Sequence, residues 1–528
     1  MSNSAVPGRV VATKEIFDAL PWFVCILLTL TALTGYASLD ALILLTITSL
    51  VPNSWRVART TLSLFTGVVF SIAVLLAFAD SALNYFFARS VDIQYDLLLI
   101  PTVWDLVAQS SGTFTAFIVF AAGFSLLAAL GWLGAQVIKN SRPITSLRSV
   151  KIPLLVATGF FVWAEVPSKS PISRTVSGLQ GAVNIHNRED PFEQILLAAE
   201  NKVLKLPWNL KQVSGQDVML LFVESYGRVL WDDPAARAAF KPIIEQGQKD
   251  LEAAGYYVAS TFMHSPTYSG RSWLAHMTVL TGVTTQHQSE WQRMLTSRVL
   301  PLAHYFNLAG YETVTVAPNI DIKEWPEGDF FQFKKNFWAP DINYKGPRYG
   351  WSMMPDQYLL LQIHKQIIEQ STDPIFAEVT LTTSHAPFIT PPFVDETPLR
   401  EEALIAKYNS QKPPKGPVIW DLTPEKYISS VNYSLKSVWQ FLAQEYPRQG
   451  TFIVLGDHQP ANPVHRVNAR SLGHHWDVPF HLVTKDETIY NRAIESGFTP
   501  GLMPNEKAEP RPMEAAYPLL LTLFSEQP

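Results

Sequence analysis

The chain has 528 residues, of which 47% are hydrophobic, 12% aromatic and only 16% charged. A charged share well below the ~25% of soluble domains, with a mean hydropathy of +0.08, points to a membrane portion joined to a soluble one, and the aromatic content excludes a disordered chain. A formal net charge of −5 excludes a global basic field for nucleic acid, and a single cysteine, Cys25, excludes an intramolecular disulfide and a Cys-based zinc finger.

Charge placement divides the chain. Residues 19–39, 41–55, 60–79, 106–138 and 152–164 carry no charge. A bilayer core needs ~20 apolar residues for a helix, fewer where the ends snorkel. The pattern predicts a bundle of five transmembrane helices, at 18–37, 39–54, 60–87, 113–138 and 150–166. Arg9 and Lys14 precede the first span, Arg56 and Arg59 separate the second from the third, and Lys139, Arg142, Arg148 and Lys151 separate the fourth from the fifth. The loop at 88–112 sets Arg89 against Asp92, Asp96 and Asp105. The positive-inside rule then predicts a multi-pass protein of the cytoplasmic (inner) membrane, with a cytoplasmic N terminus and everything after the fifth span on the periplasmic, extracytoplasmic side. Asp80, Asp92, Asp96 and Asp105 read as interface residues and a wet outer loop.

Residues 1–166 thus form a transmembrane domain, 167–213 a Pro-punctuated linker, and 214–528 an outer domain. In the linker, residues 192–205 have helical apolar spacing and suit a helix on the bilayer surface or packed on the outer domain. Beyond it, short apolar runs at Val218–Val223, Thr313–Ala317, Ile375–Leu381, Phe452–Leu455 and Val478–Val483 alternate with amphipathic stretches. Continuous rather than alternating runs imply strands buried on both faces, with helical crossovers, and hence an α/β domain.

In such sheets ligands bind beyond the carboxyl ends of the strands. The polar residues that follow the runs are Glu224-Ser225-Tyr226, Gly456-Asp457-His458 and Thr382-Thr383-Ser384-His385-Ala386-Pro387. Each alone reads equally as a cap, an ion pair or a turn. Together they bring carboxylates and imidazoles to one rim, a donor set suited to zinc or manganese, with magnesium admissible. A hydroxyl-rich and glycine-containing turn, His264 to Arg271, leads into the apolar stretch from Ser272 to Gly282. A serine there is either a helix cap or a nucleophile at the positive end of a helix.

With these residues in place, the outer domain resembles the alkaline phosphatase and sulfatase superfamily. With the five spans ahead of it, the chain resembles the membrane lipid head-group transferases of the lipoteichoic acid synthase and phosphoethanolamine transferase types. The sulfatase motif sets its nucleophile ten residues before the glycine of a Leu-Thr-Gly, which is Ser272 relative to Leu280-Thr281-Gly282. Gly270-Arg271-Ser272 is similar to the Gly-Lys-Thr at the synthase nucleophile, with Ser269 and Thr267 as neighbouring hydroxyls. By the same resemblance Glu224, Ser272, Asp457 and His458 would hold the metal. His385 would match a substrate-binding or second-metal histidine, and His474 or His475 a late second-site histidine.

There are departures as well. The Pro and Arg that follow a sulfatase nucleophile are Leu274 and His276 here, so formylglycine chemistry is not expected. The synthase's substrate-contacting Trp-x-Arg stands as Trp325-Pro-Glu327, and Arg348 through Asp356 is similar to the tract after it. Arg271 or Arg348 would then neutralise a phosphate, unless both are ordinary surface arginines. The resemblance implies a monomeric, metal-dependent transferase. It would move phosphoglycerol or phosphoethanolamine from a membrane phospholipid donor to a glycan or lipid acceptor through Ser272. A phosphodiesterase using water as acceptor is the alternative.

Overall fold

The computed structural model of the chain describes residues 55–87, 112–145, 191–203 and 208–526, less 322–324, 392, 396–400, 412–421, 463 and 466–475, together with scattered positions between 46 and 156. The chain divides into two compact units, Met1–Arg188 and Glu189–Pro528.

The first unit contains two long helices, α1 (Arg56–Phe87) and α2 (Thr113–Thr145). They approach through small residues. A Cβ on Gly67 would lie 2.3 Å from the Gly131 carbonyl oxygen, and Ser71 Oγ donates to the Leu127 carbonyl at 3.0 Å. Close backbone approach and a serine bridge are how helices associate where no hydrophobic drive separates them from lipid. Much of the rest of α2 turns apolar side chains outward, with Phe114 77% exposed. Within α2, Thr113–Leu133 is the one helix among the described residues long and apolar enough to cross a membrane. Of the five expected spans, 60–87 and 113–138 fall on continuous helices. The stretch 18–37 lies outside the described residues, as do 39–54 and 150–166 save for a few positions. The five-helix bundle is therefore not established by the structure.

The second unit opens with α3 (Pro191–Val203), the expected linker helix, which packs on its own domain. Phe192 and Leu196 are buried, Arg293 pairs with Glu193, and Glu200 accepts from the Arg298 backbone N–H at 2.8 Å. The strands are β1 (Asp217–Val223), β2 (Tyr257–His264), β3 (Glu312–Ala317), β4 (Lys335–Trp338), β5 (Ile375–Leu381), β6 (Gly450–Gly456), β7 (Asp477–Thr484) and the two-residue β8 (Thr499–Pro500) and β9 (Arg511–Pro512). Between them run α4 (Pro234–Ala253), α5 (Ser272–Thr281), α6 (Leu302–Leu308), α7 (Asp356–Ile363), α8 (Pro424–Gln440), α9 (Glu487–Glu495) and α10 (Ala516–Phe524).

The sheet has the order β4-β3-β5-β1-β6-β7-β2-β8, with β9 beside β2. From β4 to β6 the strands are parallel, whereas β7 runs antiparallel to both of its neighbours. The sheet is thus mixed. Two cores result from the alternation of side chains along each strand. Met219, Leu221 and Val223 of β1 face Phe240 and Ile244 of α4, Tyr358 of α7 and Val431 of α8. Val218, Leu220 and Phe222 face Leu274 and Met277 of α5, Phe306 of α6, Ile489 of α9 and Leu520 of α10. A strand covered on both faces has no polar side, which is why these segments read as unbroken apolar runs. Asp217, buried at the start of β1, ties the centre of the sheet together: it accepts from the Ile375 N–H at 2.8 Å and from the Tyr446 hydroxyl at 2.6 Å.

Candidate active site

The carboxyl ends of β1 and β6 deliver three of the expected residues. Val223 pairs with Gly456 at the last register position, so Glu224 and Asp457 leave the sheet side by side. Gly456 permits this closeness, since a Cβ there would lie 1.9 Å from the Tyr226 carbonyl oxygen. Asp457 Oδ1 accepts from the backbone N–H groups of Ser225 at 2.8 Å and His458 at 2.7 Å. β5 braces the other side: Glu224 N–H donates to the Leu381 carbonyl at 3.0 Å, and Ser384 Oγ donates to the Glu224 carbonyl at 2.6 Å.

The fourth residue arrives on a strained turn. Ser269, Gly270 and Arg271 all have left-handed φ, at 59°, 131° and 62°. Two non-glycine residues in that region, separated only by a glycine, persist only where surrounding contacts hold them. Here Ser265 Oγ donates to the Asp457 carbonyl at 2.6 Å, Ser269 N–H donates to the Gln459 carbonyl at 3.0 Å, and Thr267 Oγ1 bonds the Gly270 carbonyl. The turn sets Ser272 at the N-terminus of α5. Its Oγ donates to Glu224 Oε2 at 2.9 Å and lies 3.2 Å from His458 Nε2. Thr267 and Ser269 are buried in the supporting turn.

Glu224, Asp457 and His458 are all buried, and each is shifted by the others. For Glu224, burial pushes upward but is outweighed by the His458 imidazole 3.1 Å away, leaving the carboxyl below the ordinary range. Burial, then the Glu224 charge, raise Asp457 to about 7, with His458 and His276 pulling against them. Burial lowers His458, but the Asp457 and Glu224 charges overcome it and raise the imidazole to about 9. Two carboxylates in a buried space favour positive charge beside them, which is what draws the His458 imidazole toward its protonated form.

A divalent cation fits the same place. Ligand atoms of Glu224, Asp457 and His458 lie within 4.8 Å of one another. Asp457 Oδ2 is buried without a hydrogen-bond partner among the described residues, as an oxygen reserved for a cation would be. Two carboxylates, an imidazole and a hydroxyl suit zinc, manganese or magnesium.

The other expected residues are placed more variously. His385, after β5, is half-buried; its Nδ1 bonds the Ala386 carbonyl at 2.6 Å, and its ring stacks on Trp351 with centroids 4.1 Å apart. Its charge also acts on Glu224. Arg271 Nη1 donates to the Gln286 carbonyl at 3.0 Å. Trp325 packs among Trp291, Phe331 and Trp338, and its Nε1 donates to Glu327 at 2.9 Å. Arg348 is exposed, and His474 and His475 lie outside the described residues. Two polar residues beside the site were not singled out from sequence as functional: Glu378 and its partner His276. A lone carboxylate inside the apolar run of β5, and a histidine one turn after Ser272, were the available signals.

No protein-family model and no curated protein matches the chain. Among solved structures it is similar to the lipoteichoic acid synthase LtaP from Listeria monocytogenes, with 15% identity over 54% of this chain and 70% of that one and a TM-score of 0.38. It is similar to the phosphoglycerol transferase GacH of Streptococcus pyogenes, in complex with sn-glycerol-1-phosphate, with 13% identity over 62% of this chain and 91% of that one and a TM-score of 0.37. A protein in the alkaline phosphatase superfamily from Vibrio parahaemolyticus matches with 15% identity over 64% of this chain and 76% of that one, at a TM-score of 0.39.

Proposed function

We propose that the chain is a metal-dependent phosphotransferase held in the cytoplasmic membrane, with its second unit on the periplasmic side. It moves phosphoglycerol or phosphoethanolamine from a membrane phospholipid to a glycan or lipid acceptor, through a covalent intermediate on Ser272. The observation that carries this reading is the meeting of Glu224, Ser272, Asp457 and His458, from three separate stretches of chain, around one serine hydroxyl. The motif order of the sequence supports the same chemistry.

Glu224, Asp457, His458 and Ser272 Oγ would hold the cation, which when bound supplies Lewis-acid polarisation of a phosphoryl oxygen and lowers the pKa of the serine. Glu224 Oε2, at 2.9 Å, is placed to take the Ser272 proton. The Ser272 oxygen then forms a bond to phosphorus while the bond to the diacylglycerol oxygen breaks. The leaving oxygen takes a proton, and the head group stays on the enzyme as a serine phosphodiester. In the second step an acceptor hydroxyl bonds to phosphorus, and Ser272 leaves with a proton. The positive end of α5 favours negative charge at Ser272 throughout, and His385, its Nδ1 bonded to the Ala386 carbonyl, offers Nε2 to the phosphoryl group or the leaving oxygen. A membrane anchor, built from α1, α2 and the apolar stretches at 18–37, 39–54 and 150–166, keeps this site at the leaflet that holds the donor.

The test is an intact-mass measurement. The full chain, loaded with metal, is mixed with liposomes of phosphatidylglycerol and phosphatidylethanolamine without acceptor, beside Ser272→Ala. An adduct of phosphoglycerol or phosphoethanolamine mass on the parent alone is expected. An adduct that persists in Ser272→Ala moves the nucleophile elsewhere. Head group released into solution with no adduct reassigns the chain as a phosphodiesterase.

A further inference from the structure

Two turns of the candidate site contain a non-glycine residue with left-handed φ. Ser225, at 57°, follows Glu224 beyond β1, and Phe388, at 60°, closes the turn that carries His385 beyond β5. Such residues persist only where neighbouring contacts hold them. One side chain reaches both. Tyr427, buried at the start of α8, donates its hydroxyl proton to the Ser225 carbonyl at 2.9 Å and accepts from the Gly227 N–H at 3.2 Å. Its ring meets that of Phe388 edge-on, with centroids 5.3 Å apart and planes at 69°.

Both contacts lead directly to residues of the site. Ser225 N–H donates to Asp457 Oδ1 at 2.8 Å, and Ser225 Oγ donates to Glu224 Oε1 at 3.1 Å. The turn pinned by Tyr427 therefore bonds both carboxylates. Phe388 N–H donates to the His385 carbonyl at 3.0 Å. The start of α8 is itself held, since Thr423 Oγ1 accepts from the Lys426 N–H at 3.3 Å. Core packing alone does not call for the Tyr427 hydroxyl, because Tyr427→Phe would fill the same space and keep the edge-on contact. What it would remove is one hydroxyl from two buried backbone groups of a single turn. Tyr433, less than two turns further along α8, gives the contrast: its buried hydroxyl bonds that of Tyr408 at 2.8 Å, a contact outside both turns.

We propose that Tyr427 is a positioning residue for the site. Its hydroxyl holds the turn that sets Glu224 against Ser272 and presents the Ser225 N–H to Asp457, while its ring holds Phe388 and with it the turn of His385. It acts only through these turns, as outer partners act on metal ligands. The inference rests on the reading of Glu224, Asp457 and His458 as a metal site.

The test uses the full chain in detergent, with Mn²⁺ or Zn²⁺ titrated calorimetrically and a thermal melt recorded for the parent, Tyr427→Phe and Tyr433→Phe. Each variant loses one buried hydroxyl of the same helix, so both are expected to melt somewhat lower. Only Tyr427→Phe is expected to bind metal more weakly, by about 10-fold or more. Metal affinity at the parent value in Tyr427→Phe, or an equal loss in both variants, overturns the positioning role and leaves the metal site standing. Hydrogen exchange of the parent supplies a check that needs no variant. If the turn supports the cation, the cation must in return slow opening of the turn, so exchange of the Gly227 amide should slow on metal loading, and an unchanged rate overturns the role. A parent chain that takes up no metal overturns the metal site and the positioning role together.

Discussion

Substituting Gly456→Ala tests the site through a single methyl group that replaces none of its polar side chains. Gly456 ends β6, opposite Val223, and an added Cβ would sit 1.9 Å from the Tyr226 carbonyl oxygen, where real Cβ contacts essentially never fall below 3.0 Å. The backbones must therefore part by roughly 1 Å, the scale at which misplaced catalytic groups lose about 10²-fold in rate. Tyr226 has little room to yield. Its ring is buried against Trp231 and Phe240, and its hydroxyl lies 3.0 Å from His481. The strain falls instead on the junction that sets Glu224 beside Asp457 and His458. Overpacking of this kind costs about 1–3 kcal/mol of stability. The expected outcome is a modestly lowered melting temperature together with at least a tenfold loss of metal affinity by calorimetry, and a matching fall in the rate of Ser272 adduct formation. A variant that melts lower yet binds metal and forms adduct like the parent would refute the claim that strand spacing sets the site.

Other expectations follow from buried groups nearby. Burial lowers His481 to about 3, so the unfolded chain binds a proton that the folded one refuses; stability is full above the ordinary value of 6.5 and falls as pH drops toward 3, by up to about 1.4 kcal/mol per unit. Urea melts of His481→Gln should lose that slope relative to the parent. Asp356 is shifted the other way, raised to about 6 by burial despite its bonds to Ser434, Thr382 and Thr383. Its contribution is present below 3.8 and lost as pH rises through 6, so Asp356→Asn should gain on the parent by roughly 3 kcal/mol across that window. Trp351→Ala removes the indole, 42% exposed, that stacks on His385. Since such ring pairs contribute about 0.5–1.5 kcal/mol, adduct formation should slow roughly 2- to 12-fold, and the loss should vanish in a His385→Ala background.

How much could be read in advance differs by element. Five of the longer strands stood out because they are covered on both faces, and an unbroken apolar run survives in the sequence whatever its neighbours do. Direction leaves no such trace: β7, antiparallel within the sheet, has the same apolar run as the parallel β1. β2 was not anticipated because its buried Ser260 breaks the run; that hydroxyl is paired instead with His481 at 2.6 Å and the Gly501 carbonyl at 2.6 Å. β4 is a short, largely exposed edge strand. Glu224, Asp457 and His458 were legible because each follows a strand end, where side chains of separate strands gather. The Glu378–His276 pair was not, since its meaning depends on β5 lying beside β1 and on α5 crossing above them, relations no local window contains.

The central position of β1 also has a consequence for how the protein is made. Asp217, at its start, is bonded to a residue 158 positions later, and Ser225, at its end, to one 232 positions later. The strand is synthesised early, yet both partners that cover its edges arrive long afterwards. Contacts this distant in sequence make folding slow, and until β5 and β6 emerge an apolar strand with two open edges waits in an unfinished chain, the situation in which aggregation competes. Ribosome-bound or translocating chains stopped short of His458 should therefore carry an exposed β1 and lean on chaperones, and Glu224 meets Asp457 and His458 only once β6 has been made.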